Sequence, residues 1–321
     1  MSPSGGPQWR PTAAPEALRL RARLAARVRA FFAAREVLEV ETPLLCGATV
    51  TDLHLASISA AVGGREHFLQ TSPEYAMKRL LAAGLGAIFQ LGKAFRDGES
   101  GRHHNPEFTL LEWYRPGFDH HALMAEVESF FREVVAAPEA DWLSYREAFE
   151  RVFAIDPHSA PVAVLDAVIA ALPTSPPAFA EDDRDGRLDY LLTHGVEPSF
   201  ASDRPTLLYD YPASQAALAR LRPGDPPVAE RFEVYWGRIE LANGFHELTD
   251  AVEQRRRFAA DLKRRRAAGL PPVALDERFL AALEAGMPAA SGVALGFDRL
   301  AMIAAGADHL DEVLAFPLAR A

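Results

Sequence analysis

Hydrophobic residues recur at two different periods along the chain, and each change of period marks a predicted element. From Pro15, the apolar residues Leu20, Leu24, Val28 and Phe31 are spaced three or four positions apart, which is typical of an amphipathic helix. Arginines fill most of the intervening positions, so the opposite face of this helix is expected to contact solvent.

Three later segments also carry helical signals. A helix beginning near Pro73 is expected to end at Gly84, because proline suits a first turn and glycine suits a helix end. Residues 122–135 form the next predicted helix. The last is capped by Asp250, whose carboxylate can accept from free backbone N–H groups, and it ends at Gly269.

Strand patterns occupy the stretches between these helices. Apolar runs predict strands at 88–96, 207–211, 231–236 and 239–248, a strand within residues 102–114, and a strand within residues 291–300 that runs directly into a helix. The strands are separated by hairpins and long helices, without regular strand–helix–strand alternation. This order predicts an α+β fold with a mainly antiparallel sheet flanked by helices.

The predicted domain organisation is simple. Residues 1–14 are rich in proline, glycine and serine and are expected to form a flexible N-terminal tail. Residues 15–321 are expected to form one large domain. Within it, residues 157–205 mix short apolar patches with proline-rich and acidic segments, and we interpret them as an insertion in that domain.

Composition narrows the classes of function. The 321 residues, 49% of them apolar, can bury a large core. With 44 acidic and 34 basic residues, the net charge of −10 argues against a surface that mainly neutralises nucleic-acid phosphates, although a local basic patch stays open. The single Cys46 excludes an internal disulfide and a multi-cysteine zinc site. Because neither a secretory signal nor a long apolar span is found, we expect a cytoplasmic protein with no membrane attachment.

Residues 102–114 carry the most informative chemistry. Strand alternation places Phe108, Leu110, Glu112 and Tyr114 on one face of a strand. The preceding loop is rich in cations, namely Arg96, Arg102, His103 and His104. A strand, a cationic loop and a returning strand can hold a polyphosphate. The alternative is an ordinary hairpin whose glutamate and tyrosine face solvent.

Three segments resemble the three motifs of the class II aminoacyl-tRNA synthetases, in the same order along the chain. Residues 31–43 are similar to motif 1, the dimer-forming helix and strand of that class. Residues 95–114 are similar to motif 2, and residues 291–300 to motif 3. The resemblance implies the class II catalytic fold for residues 15–321 and a homodimer.

Within that class, the chain resembles lysyl-tRNA synthetase through residues 71–79, 104–108 and 240–248. Motif 1 starts so near the N-terminus that no anticodon-binding domain is expected. A lysine-type synthetase of this length resembles the elongation factor P–lysine ligase family. That resemblance implies ATP-dependent activation of (R)-β-lysine, or lysine, to an aminoacyl-adenylate, and transfer to a lysine ε-amine of elongation factor P. It also implies that there is no anticodon-type tRNA binding.

The resemblance further implies roles for single residues. In the first half-reaction a carboxylate attacks the α-phosphorus of ATP, so fixed cations have to offset the repulsion between two anions. Arg96 is assigned to the α-phosphate and the attacking carboxylate, and Arg299 to the γ-phosphate, as the catalytic pair. The other expected ATP-binding residues are Glu99, His104, Asn105, Phe108 and Glu240. Phe108 would stack on adenine, whereas without its flanking motif it would be an ordinary core aromatic.

The remaining assignments concern metal and substrate. Glu233 and Glu240 match the carboxylates that hold Mg²⁺ in the family, and Mg²⁺ prefers such hard oxygen ligands. The expected amino-acid pocket consists of Glu74, Glu112, Tyr114, Asn243, Phe245, Glu247 and Ala294. Buried carboxylates are costly unless cations occupy the site, which favours a ligand with two ammonium groups. The resemblance assigns Glu247 to the side-chain ammonium and Glu74 to the backbone-type amine.

Two positions depart from the synthetase pattern. Motif 2 usually has glutamate where this chain has Gly98, so either Glu99 takes over the nucleotide contact or the contact is lost. Ala294 stands where lysyl-tRNA synthetases carry glycine and the ligase family carries alanine. Its methyl group would reposition the backbone-type amine of the substrate, which favours binding of β-lysine over α-lysine. A difference of one methylene between substrates is worth about 1–3 kcal/mol of binding free energy.

Two features lie outside these assignments. The basic residues in 255–257 and 263–266 share one predicted helix, where they form either a solvated face or a docking surface for an acidic protein partner. The adjacent pairs His103–His104 and His120–His121 are expected to point apart on a strand. Because they also lack supporting cysteines and a His-x-x-x-His spacing, no zinc site is expected.

Two other functions stay open at this point. One is a stand-alone lysyl-adenylate-forming ligase that loads tRNA or another acceptor. The other is a non-catalytic paralogue that binds lysine or nucleotide as a regulatory sensor, which Gly98 would suit. Retention of Arg96, Glu233, Glu240 and Arg299 speaks against the sensor, because a sensor need not keep the metal carboxylates and the phosphate-binding arginines.

Overall fold

The structure is a computed structural model, and it describes residues 9–321. Its α-helices are α1 (Pro15–Ala33), α2 (Glu74–Ala82), α3 (His120–Val135), α4 (Tyr145–Phe153), α5 (Val162–Ala170), α6 (Arg184–Leu191), α7 (Ala251–Ala267), α8 (Glu277–Gly286) and α9 (Phe297–Ala305). Its strands are β1 (Leu38–Glu39), β2 (Leu45–Cys46), β3 (Ser59–Val62), β4 (Arg65–Leu69), β5 (Ile88–Phe95), β6 (Glu107–Pro116), β7 (Asp141–Ser144), β8 (Pro205–Pro212), β9 (Leu221–Arg222), β10 (Val228–Trp236), β11 (Ile239–His246) and β12 (Ala290–Gly296).

The chain divides into two compact units. The first contains residues 9–117, 249–290 and 294–321 of those described, and the second contains residues 118–248 and 291–293. Most strand pairs within each unit are antiparallel, and helices pack against them. The predicted α+β fold with a mainly antiparallel sheet flanked by helices is therefore confirmed.

The β5–β6 hairpin is the framework of the first unit. The two strands pair without a register shift from Ile88↔Tyr114 to Phe95↔Glu107. β1 pairs with β5 in parallel, and β2, β4 and β3 form a separate three-stranded sheet. Both predicted strands of this hairpin are confirmed.

Aromatic packing fastens α1 to this hairpin. The Phe32 ring of α1 stacks on Phe89 of β5 with ring centroids 4.4 Å apart, and it meets the edge of Trp113 of β6 at 5.3 Å. All three side chains are fully buried or nearly so. Leu24 and Val28 lie on the same buried face of the helix, so the predicted amphipathic helix is confirmed.

A buried carboxylate joins α9 to the same framework. Asp298, at the start of α9, is 2% exposed and accepts a hydrogen bond from the Thr109 backbone N–H of β6 at 2.9 Å. Arg21 of α1 forms an ion pair with the same carboxylate. β12 runs directly into α9, as the sequence predicts.

β10 is the central strand of the second unit. It pairs antiparallel with β8 and β11, while β7 pairs with β8 in parallel. The core beside β8 includes Tyr145 and Phe149 of α4, whose rings stack 4.7 Å apart. Residues 157–205 form α5 and α6 and add Leu165 and Leu188 to this core. Their interpretation as an insertion in one larger domain stays a prediction.

One predicted helix, α3, begins at a different residue from the one predicted. Asp119 accepts from the Ala122 backbone N–H at 2.8 Å, so the helix begins at His120, two residues before the predicted start. His120 and His121 therefore open a helix and have ring centroids 4.1 Å apart. The prediction that this pair points apart on a strand was wrong.

Part of the predicted N-terminal tail, residues 9–14, lies within the described residues. Residues 1–8 of that tail lie outside the described residues. Further along, the Thr12 N–H donates to the Ala315 carbonyl at 2.9 Å, and Ala13 is 3% exposed. Among residues 9–321, no helix combines the length and apolarity that crossing a membrane requires.

The packing of α1 on the hairpin yields a stability prediction. Phe32→Ala should lower the free energy of unfolding by about 3–5 kcal/mol, because it removes a buried ring and leaves a cavity. Val252→Ala is the matched control: Val252 is 81% exposed, and its change should stay within about 0.5 kcal/mol. Urea unfolding followed by circular dichroism measures both. Equal effects of the two substitutions would contradict the packing described.

Candidate active site

The first unit holds a cationic loop between β5 and β6, where the sequence predicts phosphate binding. The Arg96 backbone N–H donates to the Pro106 carbonyl at 2.9 Å, which extends the hairpin ladder past β5. Farther out, Gly101 and His104 form an isolated bridge that closes the loop on itself. The loop therefore has a defined path, and its side chains emerge at fixed positions.

The Arg96 side chain is partly buried and incompletely hydrogen-bonded. Its guanidinium lies over the Phe108 ring, 5.0 Å from the centroid, and its Nη1 is 3.6 Å from Glu99 Oε1. Within the described chain its Nε is buried without a hydrogen-bond partner. A buried donor left unpaired costs about 1–3 kcal/mol, so this nitrogen is available for a ligand oxygen. Phe108 is half-buried beside it, and its stacking on adenine stays a prediction.

Gly98 shows why glutamate is absent from its usual motif 2 position. The backbone of Gly98 has a φ of +76°, a conformation that glycine adopts freely and that strains other residues. Glu99 is the next residue and lies against Arg96. Glu99 therefore pairs with the guanidinium, while its proposed contact with the nucleotide stays a prediction.

Arg299 of α9 joins the same loop. Its Nε donates to the His103 carbonyl at 3.1 Å, and its Nη2 is 2.7 Å from His104 Nε2. Burial lowers the pKa of His104, and the positive charge of Arg299 lowers it further. His104 is thus a neutral acceptor near pH 7 that positions Arg299, and it supplies no positive charge of its own.

The two predicted catalytic arginines both act electrostatically on His104. The charges of Arg299, Glu99 and Arg96 all act on His104. Both guanidiniums are therefore close enough to influence the same imidazole, while their joint binding of one triphosphate stays a prediction. Asn105 has a different environment: its Oδ1 accepts from the Leu318 N–H at 3.0 Å and its Nδ2 donates to the Glu107 carbonyl. Both the oxygen and the nitrogen of the Asn105 side-chain amide therefore already form hydrogen bonds within the protein.

Farther along β6, a buried acid and a phenol form a pair. Glu112 is 1% exposed and Tyr114 is 2% exposed. The Tyr114 hydroxyl donates to Glu112 Oε1 at 2.7 Å. The alternative of an ordinary hairpin with these residues facing solvent is therefore excluded.

Glu74 already has a cationic neighbour. Lys78, one turn later on α2, places its Nζ 2.6 Å from Glu74 Oε1 and is itself 1% exposed. The i, i+4 spacing in the sequence signals this pair, although the sequence analysis did not use it. A substrate amine at Glu74 would share the carboxylate with Lys78.

The second unit contains an acidic group on β10 and β11. Asn243 lies opposite Glu233 in the strand register, and its Nδ2 is 3.4 Å from Glu233 Oε1. Within residues 9–321, the buried Asn243 Oδ1 has no hydrogen-bond partner. Glu247, four residues later, is 1% exposed. An open amide oxygen and a buried carboxylate are the acceptors that ammonium groups require.

Gly244 permits close packing between these residues. A Cβ atom built there would lie 2.4 Å from the Phe232 ring and 3.1 Å from the Gly292 carbonyl. A side chain at this position would require the Phe232 ring or the backbone to shift. Phe245, the next residue of β11, is half-buried.

Glu233 is enclosed by donors that the sequence analysis missed. Its Oε2 accepts from the Tyr211 hydroxyl at 2.6 Å and from the Tyr235 hydroxyl at 2.5 Å. Arg231 pairs with its Oε1. Alternation along β10 signals Arg231 and Tyr235 as neighbours of Glu233, but nothing local signals Tyr211, which is 22 positions away.

These contacts bear on the predicted metal ligands. Carboxylate oxygens suit Mg²⁺, but both oxygens of Glu233 already accept hydrogen bonds. Glu240 is half-buried. Glu233 could therefore bind a metal ion only by giving up part of these hydrogen bonds.

The basic residues of α7 are mostly neutralised. Arg256 and Arg257 both bind Glu253, and Arg264 binds Asp261. Arg255 binds Glu277 in the same way. This pattern favours the solvated face over the docking surface.

Comparison with known proteins agrees with this geometry. Residues 8–320 match the family described as tRNA synthetases class II (D, K and N). Proteins named elongation factor P–(R)-β-lysine ligase are similar to the chain: those of two Klebsiella pneumoniae strains are 53% identical over 319 residues, and that of Vibrio cholerae serotype O1 is 52% identical over 320 residues. Each alignment covers 98% of this chain and 98% of its relative. The chain belongs to the class II tRNA synthetase family (D, K and N), in its group of elongation factor P–(R)-β-lysine ligases.

Proposed function

We propose that this protein is an ATP-dependent ligase that activates (R)-β-lysine, or lysine, and transfers it to a lysine ε-amine of elongation factor P. The observation that supports the proposal is the cationic loop of the first unit, where Arg299 contacts His104, Arg96 acts electrostatically on the same imidazole, and Arg96 Nε is an open donor. The names of the similar proteins supply the substrate and the acceptor.

In the first step, a carboxylate oxygen of the amino acid attacks the α-phosphorus of ATP, and pyrophosphate leaves. Both reactants are anions, so catalysis consists largely of placing positive charge around them. Arg96 Nε donates to the α-phosphate or the attacking carboxylate, and Arg299, held by His103 and His104, binds the γ-phosphate. Phe108 stacks on the adenine and Glu99 keeps the Arg96 guanidinium in place.

In the second step, the neutral ε-amine of the acceptor lysine attacks the carbonyl carbon of the adenylate. A new amide forms, the bond to the phosphate oxygen breaks, and AMP leaves with that oxygen. The acceptor amine loses a proton in the process. Arg96, by binding the α-phosphate, stabilises the departing AMP.

Each unit by itself offers buried acceptors that suit an ammonium group. They are Glu247 and the open Asn243 Oδ1 in the second unit, and Glu112 with Tyr114 in the first. Buried carboxylates reject neutral side chains, because an unpaired buried charge is costly. We assign Glu247 to the side-chain ammonium and Glu74, shared with Lys78, to the backbone-type amine. Ala294 in β12 favours β-lysine over α-lysine as the substrate.

Mg²⁺ is part of the proposal. Glu233 and Glu240 supply the oxygen ligands that this ion prefers. When bound, Mg²⁺ neutralises phosphate charge.

A homodimer is also proposed, through motif 1. β1 is a two-residue edge strand paired only on its β5 side within the described residues, and Leu38 on it is 53% exposed. An exposed apolar residue on an edge strand is suited to pairing with a second copy.

The activation step yields the first functional prediction. Arg96→Ala and Arg299→Ala should each lower amino acid-dependent exchange of pyrophosphate into ATP by at least about 100-fold, because each removes a charge aimed at the phosphates. Arg102→Ala is the matched control, since Arg102 lies in the same loop but pairs with exposed Asp308. It should keep nearly full exchange. Wild-type exchange in either test variant would overturn the assignment.

Substrate recognition yields a second prediction. Glu247→Gln should raise the KM for (R)-β-lysine roughly 10- to 100-fold, because it removes a charged hydrogen-bond acceptor worth about 1.5–3 kcal/mol. The KM for ATP should stay unchanged. Glu139→Gln, an exposed glutamate of the same unit, is the control. Steady-state exchange kinetics separate the two constants, and an equal rise in both would contradict a specific role in the amino-acid pocket.

The acceptor yields a third prediction. With ATP and labelled (R)-β-lysine, the protein should label purified elongation factor P on a lysine and leave bulk tRNA unlabelled. Intact-mass measurement of the factor and acid precipitation of the tRNA give the two readouts. Label on tRNA alone would favour the stand-alone synthetase instead, and omission of ATP serves as the blank.

A further inference from the structure

A cluster of imidazole and carboxylate groups lies in the second unit, where the start of α3 packs near β10 and β11. One potential ligand atom from each of His120, Glu230 and His246 lies within 4.8 Å of the other two. The proposed ligase reaction uses none of these side chains.

Strand register brings two members of the cluster together. Arg231 pairs with Phe245 across β10 and β11, so Glu230 and His246 occupy the next opposed position and point to the same face. His246 Nδ1 is 2.7 Å from Glu230 Oε2. The backbone of Arg220 holds both neighbours, donating to the His246 carbonyl at 2.8 Å and accepting from the Glu230 N–H at 2.9 Å.

His120 has the hydrogen-bond pattern of a metal ligand. Its ring is 2% exposed, and its Nε2 is 3.2 Å from Asp210 Oδ1. A carboxylate at one imidazole nitrogen orients the ring and leaves the other nitrogen as the acceptor. In His120 that other nitrogen, Nδ1, is buried and has no hydrogen-bond partner among the described residues. A bound cation would satisfy it.

The local charge permits a divalent cation. Arg220 lies beside His246, with 3.4 Å between Nη1 and Nε2, and Arg222 binds Asp210. The carboxylates of Asp119, Asp210 and Glu230 outnumber these two guanidiniums. Asp119 also caps the α3 N-terminus and offsets the positive end of that helix.

Two imidazoles and one carboxylate form a ligand set that suits zinc. Such ligands lie about 2.0–2.2 Å from Zn²⁺ and leave a fourth position for water. Atoms already within 4.8 Å of one another need only small side-chain movements to reach that arrangement. Mg²⁺ prefers oxygen ligands and is a poor match.

We propose that His120, Glu230 and His246 form a binding site for a zinc-like divalent transition-metal ion, with Asp210 orienting His120. The ion ties the first turn of α3 to β10 and β11. His246 passes its Nδ1 proton to Nε2 or to solvent when that nitrogen becomes the ligand, and the exposed Arg220 turns away.

The test uses the full-length protein, stripped with a chelator and dialysed. Titration with Zn²⁺ in competition with a chromophoric chelator should show one ion per chain, and the melting temperature should rise with Zn²⁺. Co²⁺ should give the visible absorption bands of tetrahedral coordination. His246→Gln and Glu230→Gln should each weaken Zn²⁺ binding at least about 10-fold, because each removes a direct ligand.

His67→Gln is the matched control, since His67 lies on β4 in the first unit and hydrogen-bonds to the Arg65 carbonyl. It should bind Zn²⁺ as the wild type does. Because His120 is buried, His120→Gln is informative only if its circular dichroism spectrum is that of the folded protein, whereas the other two variants stand without it. Unchanged Zn²⁺ affinity in both His246→Gln and Glu230→Gln, or no Zn²⁺ bound by the wild type, would overturn the proposal.

Discussion

The antiparallel pairing of β5 with β6 is the constraint on which the first unit depends. Because the register runs without a shift from one end of the hairpin to the other, it fixes Arg96 at the loop end and Glu112 and Tyr114 deeper in the sheet. Asp298 binds the backbone of the same hairpin and thereby sets the start of α9. Arg299, the next residue, consequently reaches the loop that carries His104. One ladder of backbone hydrogen bonds thus places the groups proposed to bind ATP.

The second constraint is that buried charged and polar atoms need hydrogen-bond partners, and these atoms differ in whether they have them. Glu233 is surrounded by donors from its own unit, so it is stable without a ligand. Arg96 Nε and Asn243 Oδ1 are buried and lack partners within the described chain. Native proteins leave few such atoms unpaired. The pattern suits a donor kept for a ligand anion in the first unit and an acceptor kept for a ligand cation in the second.

Local patterns predict several of the elements, but they miss α4, α8 and the β2–β4–β3 sheet, and they predict contacts between distant segments poorly. Period, caps and glycine stops predict α1, α2 and α7, because these signals lie within each segment. The start of α3 was misplaced because the cap at Asp119 was overlooked, and this error also led to the wrong expectation for His120 and His121. The Tyr211–Glu233 hydrogen bond depends on the β8–β10 pairing, which no local pattern encodes. The roles of single residues follow from the family resemblance. The structure adds which of these side chains already form hydrogen bonds or ion pairs within the protein.

The central claim is that a substrate carboxylate attacks the α-phosphorus of ATP beside Arg96. The most direct measurement is an oxygen-isotope transfer, with (R)-β-lysine labelled with oxygen-18 in its carboxylate, ATP and elongation factor P. The account predicts that the AMP released after amide formation carries one labelled oxygen, because that oxygen bridged carbon and phosphorus in the adenylate. Unlabelled AMP, or label in inorganic phosphate together with ADP, would contradict it.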